Sequence, residues 1–167
     1  MGQKERLISL DLATKKSGLA YWENNKYKES YVIDFEKIKD IDERTINMGK
    51  KLISALNYYK PTVVYTEDSF KGQNPKTMKC LCKLHGIVMG WCIENEVEYH
   101  FVMPSSWRKY IPDFPNGRSV KRDEQKLFSI QYVMDIYGFT PITDDQSDAI
   151  LIGEAMIRKN HKTPVYK

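Results

Sequence analysis

An α/β domain with the element order βββαβαβ, followed by a loop and two helices, is predicted from three observations. Short runs rich in β-branched and aromatic residues alternate with segments of helical period. The 167 residues, 41% hydrophobic and 29% charged, are enough to bury one core. With only 9 Gly and 7 Pro, and with neither repeats nor a linker, the chain is not collagen-like, low-complexity or disordered. Residues 1–167 are therefore expected to form a single domain.

Residues 6–13, RLISLDLA, read as a buried strand interrupted by one carboxylate, Asp11. Residues 17–24 and 27–34 alternate as strands do, with Asn24-Asn25 as the hairpin turn between them. From Asp42 to Tyr59 the positions Ile46, Leu52, Ile53, Leu56 and Tyr59 keep helical spacing, and Pro61 stops the helix. Thr62–Thr66 is a β-branched strand ending in Glu67-Asp68. Pro75 opens a helix to about Asn95, with Cys80, Leu81, Leu84, Val88 and Trp91 as its apolar stripe. Glu98–Met103 is the fifth strand, closed by Pro104. Ser105-Ser106 then caps a short turn through Tyr110, and IPDFPNG forms a loop. Val120–Tyr137 is helical with Gly138 beyond its end, and Thr143-x-x-Gln146 is a capping box for the last helix. The tail after Lys159 is expected to fray.

No stretch reaches the roughly 18 apolar residues of a membrane span. Asp11, Lys15 and Lys16 interrupt any apolar leader segment, and Arg6 replaces the Ser or Thr that myristoylation of Gly2 requires. Three cysteines do not make a secreted disulfide framework. A soluble, cytoplasmic protein with no membrane partner is expected. Cys80 and Cys82 lie i, i+2 on one helix and point apart, so with His85 and Cys92 they read as buried thiols rather than a zinc site. His100 and His161 read as structural or surface residues.

The net charge of +4 is modest, but its distribution is uneven. Lys71, Lys76, Lys79 and Lys83 occur without an acid among them. Arg108, Lys109, Arg118, Lys121, Arg122 and Lys126 follow in a second basic stretch. Lys76, Lys79 and Lys83 share one helical face, suited either to solvent or to a phosphate backbone. Trp107, beside Arg108 and Lys109, fits a DNA surface and packing beneath the loop equally well. The acids fall where a core is expected. Asp11 sits inside an apolar strand, Glu67 ends the strand after the first helix, and Asp145 and Asp148 share a face at the head of the last helix. Lone buried carboxylates are costly, and a cluster of them repels itself. Asp11 also suits a strand end bonded to the following turn, and Asp145 an ordinary first helical turn. Hard divalent cations would resolve cost and repulsion at once, and two magnesium ions about 3.5–4 Å apart in such a cluster suit phosphodiester hydrolysis.

Three stretches, LISLDLATKKSGLA, TVVYTEDSFKGQNPKTMKCLCKLHG and DDQSDAILIG, resemble in that order the RuvC family of Holliday junction resolvases, within the RNase H-like superfamily. The resemblance implies an RNase H-like mixed five-stranded sheet flanked by helices, βββαβαβαα. It assigns Asp11, Glu67, Asp145 and Asp148 as catalytic, metal-binding acids, with two Mg²⁺ ions per site and Mn²⁺ as a substitute. Phe70 matches the aromatic that inserts at the junction crossover. Lys71, Lys76, Lys79, Arg108 and Lys121 fall in the DNA-contacting regions, and the helix from Pro75 would also contribute to a homodimer interface. Lys15-Lys16 depart from the small Gly-rich turn expected there, and Asp68 and Asp144 each neighbour an assigned acid. The implied function is metal-dependent, structure-selective cleavage of four-way junctions and related branched DNA, in a bacterial cell or a phage-infected one. Another RNase H-like nuclease, acting on RNA/DNA hybrids or flaps, is the alternative within enzymes. A silent branched-DNA-binding module is the alternative outside them, and four intact acids speak against silence.

Overall fold

The computed structural model describes residues 4–68, 73–117 and 119–166. Strands β1 (Arg6–Asp11), β2 (Lys16–Glu23) and β3 (Lys26–Asp34) come first, then α1 (Ile41–Tyr59), β4 (Val63–Glu67), α2 (Pro75–Glu94) and β5 (Glu98–Val102). A short helix α3 (Pro104–Trp107), one 3₁₀ turn (Arg108–Tyr110), α4 (Arg122–Tyr137) and α5 (Asp144–Lys159) complete the order. The sheet runs β3-β2-β1-β4-β5. β1 is antiparallel to β2 and parallel to β4, and β5 is parallel to β4. The mixed five-stranded sheet expected from the sequence is therefore present, with α3 as an added turn.

Strand alternation divides the core between two faces. On one face Ile8, Leu10, Leu19 and Val64 pack with Met48, Leu52 and Leu56 of α1 and Leu84 and Val88 of α2. On the other, Leu7, Ala20, Trp22, Val63 and Tyr65 pack with Val133 and Tyr137 of α4 and with α5. Every residue from Ala149 to Ile157 is buried, so α5 is the central helix of its layer.

Several details differ from the sequence reading. Ile46 and Ile53 of α1 are 58% and 39% exposed, because the buried face runs Thr45, Met48, Leu52, Ala55 and Leu56. Each isoleucine lies one residue, about 100°, round the helix from that stripe. Ser105 and Ser106 cap nothing. Met103 holds the cap position of α3, and Pro104 at the first turn needs no side-chain acceptor. α4 starts at Arg122 rather than Val120, with Lys121 at its cap position and Gly138 ending it at φ 76°. Cys80 and Cys92 are buried as expected, but Cys82 is exposed. Asn24 and Asn25 take φ values of 50° and 63°, the left-handed pair that a tight hairpin demands.

Two long-range ties hold α5 in place. Thr143 caps it by accepting from the Gln146 N–H at 3.4 Å, yet the expected capping box stays open. The Gln146 side chain instead accepts from the Ile142 N–H at 2.7 Å and donates to the Ser30 hydroxyl and carbonyl on β3. Farther along, the fully buried Glu154 carboxylate accepts from the hydroxyls of Tyr132 (2.7 Å), Tyr137 (2.7 Å) and Tyr166 (3.0 Å) and from Arg158 Nε (2.8 Å). These donors compensate a carboxylate that would otherwise be costly to bury. They also overturn the expectation of a frayed tail. Tyr166 joins this network, and Val165 exchanges backbone hydrogen bonds with Asn25 and Tyr27 at 2.8 Å each.

Candidate active site

Period-2 alternation aims the two strand acids at the same helix. Asp11 lies on the β1 face of Leu7 and Ser9, and the Ser9 hydroxyl donates to the Ala149 carbonyl of α5 at 2.6 Å. Glu67 shares the β4 face of Val63 and Tyr65, which also pack toward α5. The parallel register Leu10↔Thr66 brings the C-terminal ends of β1 and β4 side by side. α5 enters over those ends, adding Asp145 and Asp148 from its first turns. All four acids line one open groove of about 960 Å³. A second hollow, about 800 Å³, lies at the opposite pole of the sheet around Arg6, Thr62 and Glu98, and it contains none of them.

The electrostatics of the four acids follow from their enclosure. Burial raises the Asp11 pKa well above the ordinary carboxyl range, and the charges of Glu67, Asp148, Asp145 and Asp144 raise it further. Burial lifts Asp148 to about 7, opposed by the Ser129 hydroxyl and reinforced by Glu67. Glu67, 7% exposed, is raised by burial and held back by the Trp107 indole, Arg108 and Arg122. Asp145 is raised by burial and by Asp144, with Thr143 and Lys126 opposing. Asp144 itself is paired with Lys126 at 2.8 Å.

Carboxylate oxygens with neither thiol nor imidazole among them form a donor set suited to hard divalent cations. Among the described residues, no three acid, histidine or cysteine side chains converge closely enough to cage an ion as they stand. The surplus of buried and half-buried, self-repelling acids is the observation that fits a cation here. Asp11, Glu67, Asp145 and Asp148 are the residues that would hold it.

Stability should report the same repulsion. All four groups have folded pKa values above the ordinary carboxyl range, so the folded protein binds more protons than the unfolded chain. The stability they contribute is complete in acid and is lost as pH rises through the folded values, about 7 for Asp148. In chelator, the calorimetric unfolding temperature should fall between pH 5 and pH 8. Millimolar Mg²⁺ should flatten that decline, because cations replace the lost protons. An unchanged profile with and without Mg²⁺ would exclude cation binding by these acids.

The expected DNA-contacting residues separate into three groups. Arg108 lines the groove, its guanidinium stacked over Trp107 at 5.3 Å and Phe114 at 5.5 Å while Nη1 donates to Gln125. Lys76 and Lys79 are exposed on the first turns of α2, while Asn74 and Thr77 of that helix line the groove. Lys121 is exposed at the head of α4, and the groove itself receives Arg122 and Lys126 instead. Phe70 and Lys71 lie outside the described residues. Lys83 pairs with Asp42 at 3.6 Å on the open surface. Trp107 proves to be fully buried.

His85, in the rejected zinc set, is buried against Phe101. Burial pushes its pKa down to about 4, and its Nδ1 lies 3.2 Å from the Tyr99 hydroxyl. Two residues that matter to the site went unremarked in the sequence. Ser129 on α4 opposes the pKa rise of Asp148, and a serine inside an amphipathic helix carries no signal of that role. Gly18 lies directly opposite Asp11 in the β1–β2 ladder. A glycine within a strand does signal close backbone approach, and here it meets the head of α5.

Known proteins place this arrangement in context. The chain is 25% identical over 154 residues to the crossover junction endodeoxyribonuclease RuvC of Caldicellulosiruptor saccharolyticus, covering 88% of this chain and 89% of that protein. Its fold matches Thermus thermophilus RuvC, solved in complex with a Holliday junction substrate, at a TM-score of 0.68 and 14% identity over 93% of this chain and 96% of that one. It also matches the Fowlpox virus resolvase, solved with Holliday junction DNA, at a TM-score of 0.59 and 18% identity over 92% and 99%. No family profile matches the chain.

Proposed function

We propose, from the premise that this chain belongs among the RuvC-type resolvases in sequence and fold, that it is a metal-dependent endonuclease cutting four-way DNA junctions and related branched DNA. The observation that carries this reading is the delivery of Asp11, Glu67, Asp145 and Asp148 from two strand ends and one helix into a single groove. Those acids would hold two Mg²⁺ ions, with Mn²⁺ as a substitute. Bound divalent ions supply an activated water and neutralise charge on the phosphate. Arg108 and Arg122, close enough to Glu67 to lower its pKa, would meet the negative charge of a phosphodiester. Phe70, three residues beyond Glu67 in sequence, is the stacking group for the crossover. The whole chain acts as one nuclease domain on DNA in the bacterial cytoplasm.

A homodimer is supported by α2. Met78, Met89 and Ile93 are 41%, 40% and 70% exposed, and Cys82 is exposed on the same side. Gly86 and Gly90 continue the stripe with open space where a Cβ would stand. An apolar stripe with small residues lets two copies of this helix approach closely. Two-fold symmetry would then provide paired sites for paired cuts.

A labelled four-way junction, a flap and an RNA/DNA hybrid, each incubated with Mg²⁺ and with chelator, test this reading. Metal-dependent paired cuts in the junction are expected. Cleavage of the hybrid alone would move the assignment to another RNase H-like activity. Cleavage of none would leave a binding module. On the surface, replacing Lys76, Lys79 or Lys121 by Ala should weaken binding to all branched substrates alike. Each loss should flatten the slope of log affinity against log salt by about 0.9, as for one released phosphate contact. A slope unchanged by a given replacement removes that lysine from the DNA surface.

A further inference from the structure

We propose that Trp107 is a positioning residue for Glu67: its indole N–H fixes Oε2 and thereby presents the other carboxylate oxygen to the groove. The inference rests on the nuclease reading for the identity of the cation, but not for the geometry.

The chain path places the indole there. β5 lies beside β4 with Val102 opposite Glu67, and the Asp68 N–H donates to the Val102 carbonyl at 3.0 Å. Pro104 turns the chain into α3 immediately afterwards, and the Trp107 N–H closes that turn on the Met103 carbonyl at 3.2 Å. Trp107 thus folds back over the end of β4, with 40 positions of sequence separating it from Glu67. The side chain is 0% exposed. Phe114 meets it edge-on at 5.4 Å and 73°, and the Arg108 guanidinium covers it at 5.3 Å. An indole nitrogen has one proton and accepts nothing. Here that N–H donates to Glu67 Oε2 at 2.5 Å.

A donor this rigid restricts the rotamers of the glutamate, so less order remains to be imposed when a cation arrives. With Oε2 engaged by the indole, Oε1 is the oxygen that would face a cation. A residue serving only to fill space would need no N–H, and phenylalanine would serve in its place. Trp107→Phe therefore separates the two roles, since it keeps an aromatic ring against Phe114 and Arg108 while deleting the donor.

The variant should still fold, unfolding below the wild-type temperature because the smaller ring leaves a cavity and Oε2 loses its donor, and should keep its KM for junction DNA. Its Mg²⁺ affinity, measured by calorimetry without DNA, should fall about 10–100-fold, the range for losing a group that orients a metal ligand. The Mg²⁺ concentration for half-maximal cutting should rise in parallel. In the wild type, the indole N–H resonance of Trp107, assigned through its contacts with Phe114, should shift as Mg²⁺ is added. Unchanged Mg²⁺ affinity and cutting in Trp107→Phe would reduce Trp107 to packing and overturn the proposal. If the variant does not fold, the wild-type indole signal decides: a shift with Mg²⁺ supports positioning, and indifference overturns it. A wild-type protein that binds Mg²⁺ but cuts no branched DNA refutes the nuclease reading alone, because the calorimetric comparison still stands. A wild type that binds no divalent ion overturns both.

Discussion

Asp11→Asn and Asp148→Asn proteins should bind four-way junctions as the wild type does and cut them more than about 100-fold more slowly. The magnitude follows from position. Loss of a group that merely orients a metal ligand costs about 10–100-fold, so loss of the ligand's own charge should cost more. Both acids feel the charge of other members of the cluster, and the amide preserves their shape while removing the charge a cation needs. Glu67→Gln should behave similarly, with the added feature that its amide keeps an oxygen for the Trp107 N–H. Asp145→Asn should be the mildest, since Asp144 lies beside it and is close enough to repel it. Stability supplies a second, opposite signal. In chelator near pH 8 each amide removes one repelling charge, so the inactive proteins should melt above the wild type. Near wild-type cutting by Asp148→Asn would sink the proposed site whatever the melting data show.

The acids were legible in the sequence because each contradicts its local pattern. A carboxylate in LISLDLA, an acid closing a β-branched strand, and an i, i+3 pair beside Ala149-Ile150-Leu151 are anomalies visible within a few residues. The helix from Pro75 was equally readable, through Pro75 at its first position, and the structure adds Asn74 as its cap. Two of the failures involve distant partners. The isoleucines of α1 keep helical spacing, but which stripe faces the sheet depends on β1 and α2. The tail reads as frayed until Tyr166 meets a glutamate buried 12 positions away and Val165 meets the first hairpin.

Trp107 marks the boundary between these cases. Its basic neighbours suit a DNA surface, whereas its contacts with Phe114 and Glu67 depend on how the chain turns after β5. Arg108 shows both outcomes in one side chain. It reaches the groove as expected, yet it stacks over that indole and is tied to Gln125. Charge on a loop is thus readable from sequence, but whether a particular cation points at the acids or along the surface is not. Lys121 stays outside, while Arg122 and Lys126 turn in.

Gly18→Ala should damage the protein and its activity together, although the residue is neither acidic nor in a turn. Gly18 sits on β2 opposite Asp11, on the face that carries Ala20 and Trp22 toward α5. A Cβ there would stand 1.8 Å from the Asp145 carbonyl oxygen, 2.4 Å from its carbonyl carbon and 3.0 Å from the Gln146 nitrogen. These are backbone atoms of a helix start, so no side-chain rotation relieves the overlap. Gln146, hydrogen-bonded to Ser30 on β3, resists lifting that turn away. Forcing an extra methyl into a packed interface costs typically about 1–3 kcal/mol, and an overlap this deep belongs at the upper end or beyond. The helix start that must move carries Asp145 and, one turn later, Asp148. A displacement of about 1 Å in a catalytic constellation can lower the rate about 100-fold. Urea unfolding should therefore show the loss of stability, and single-turnover cleavage should show a defect that persists at saturating Mg²⁺ under folding conditions. Full stability and full activity in Gly18→Ala would mean that the head of α5 does not rest on β2. The shared groove of the four acids would then lose its physical basis.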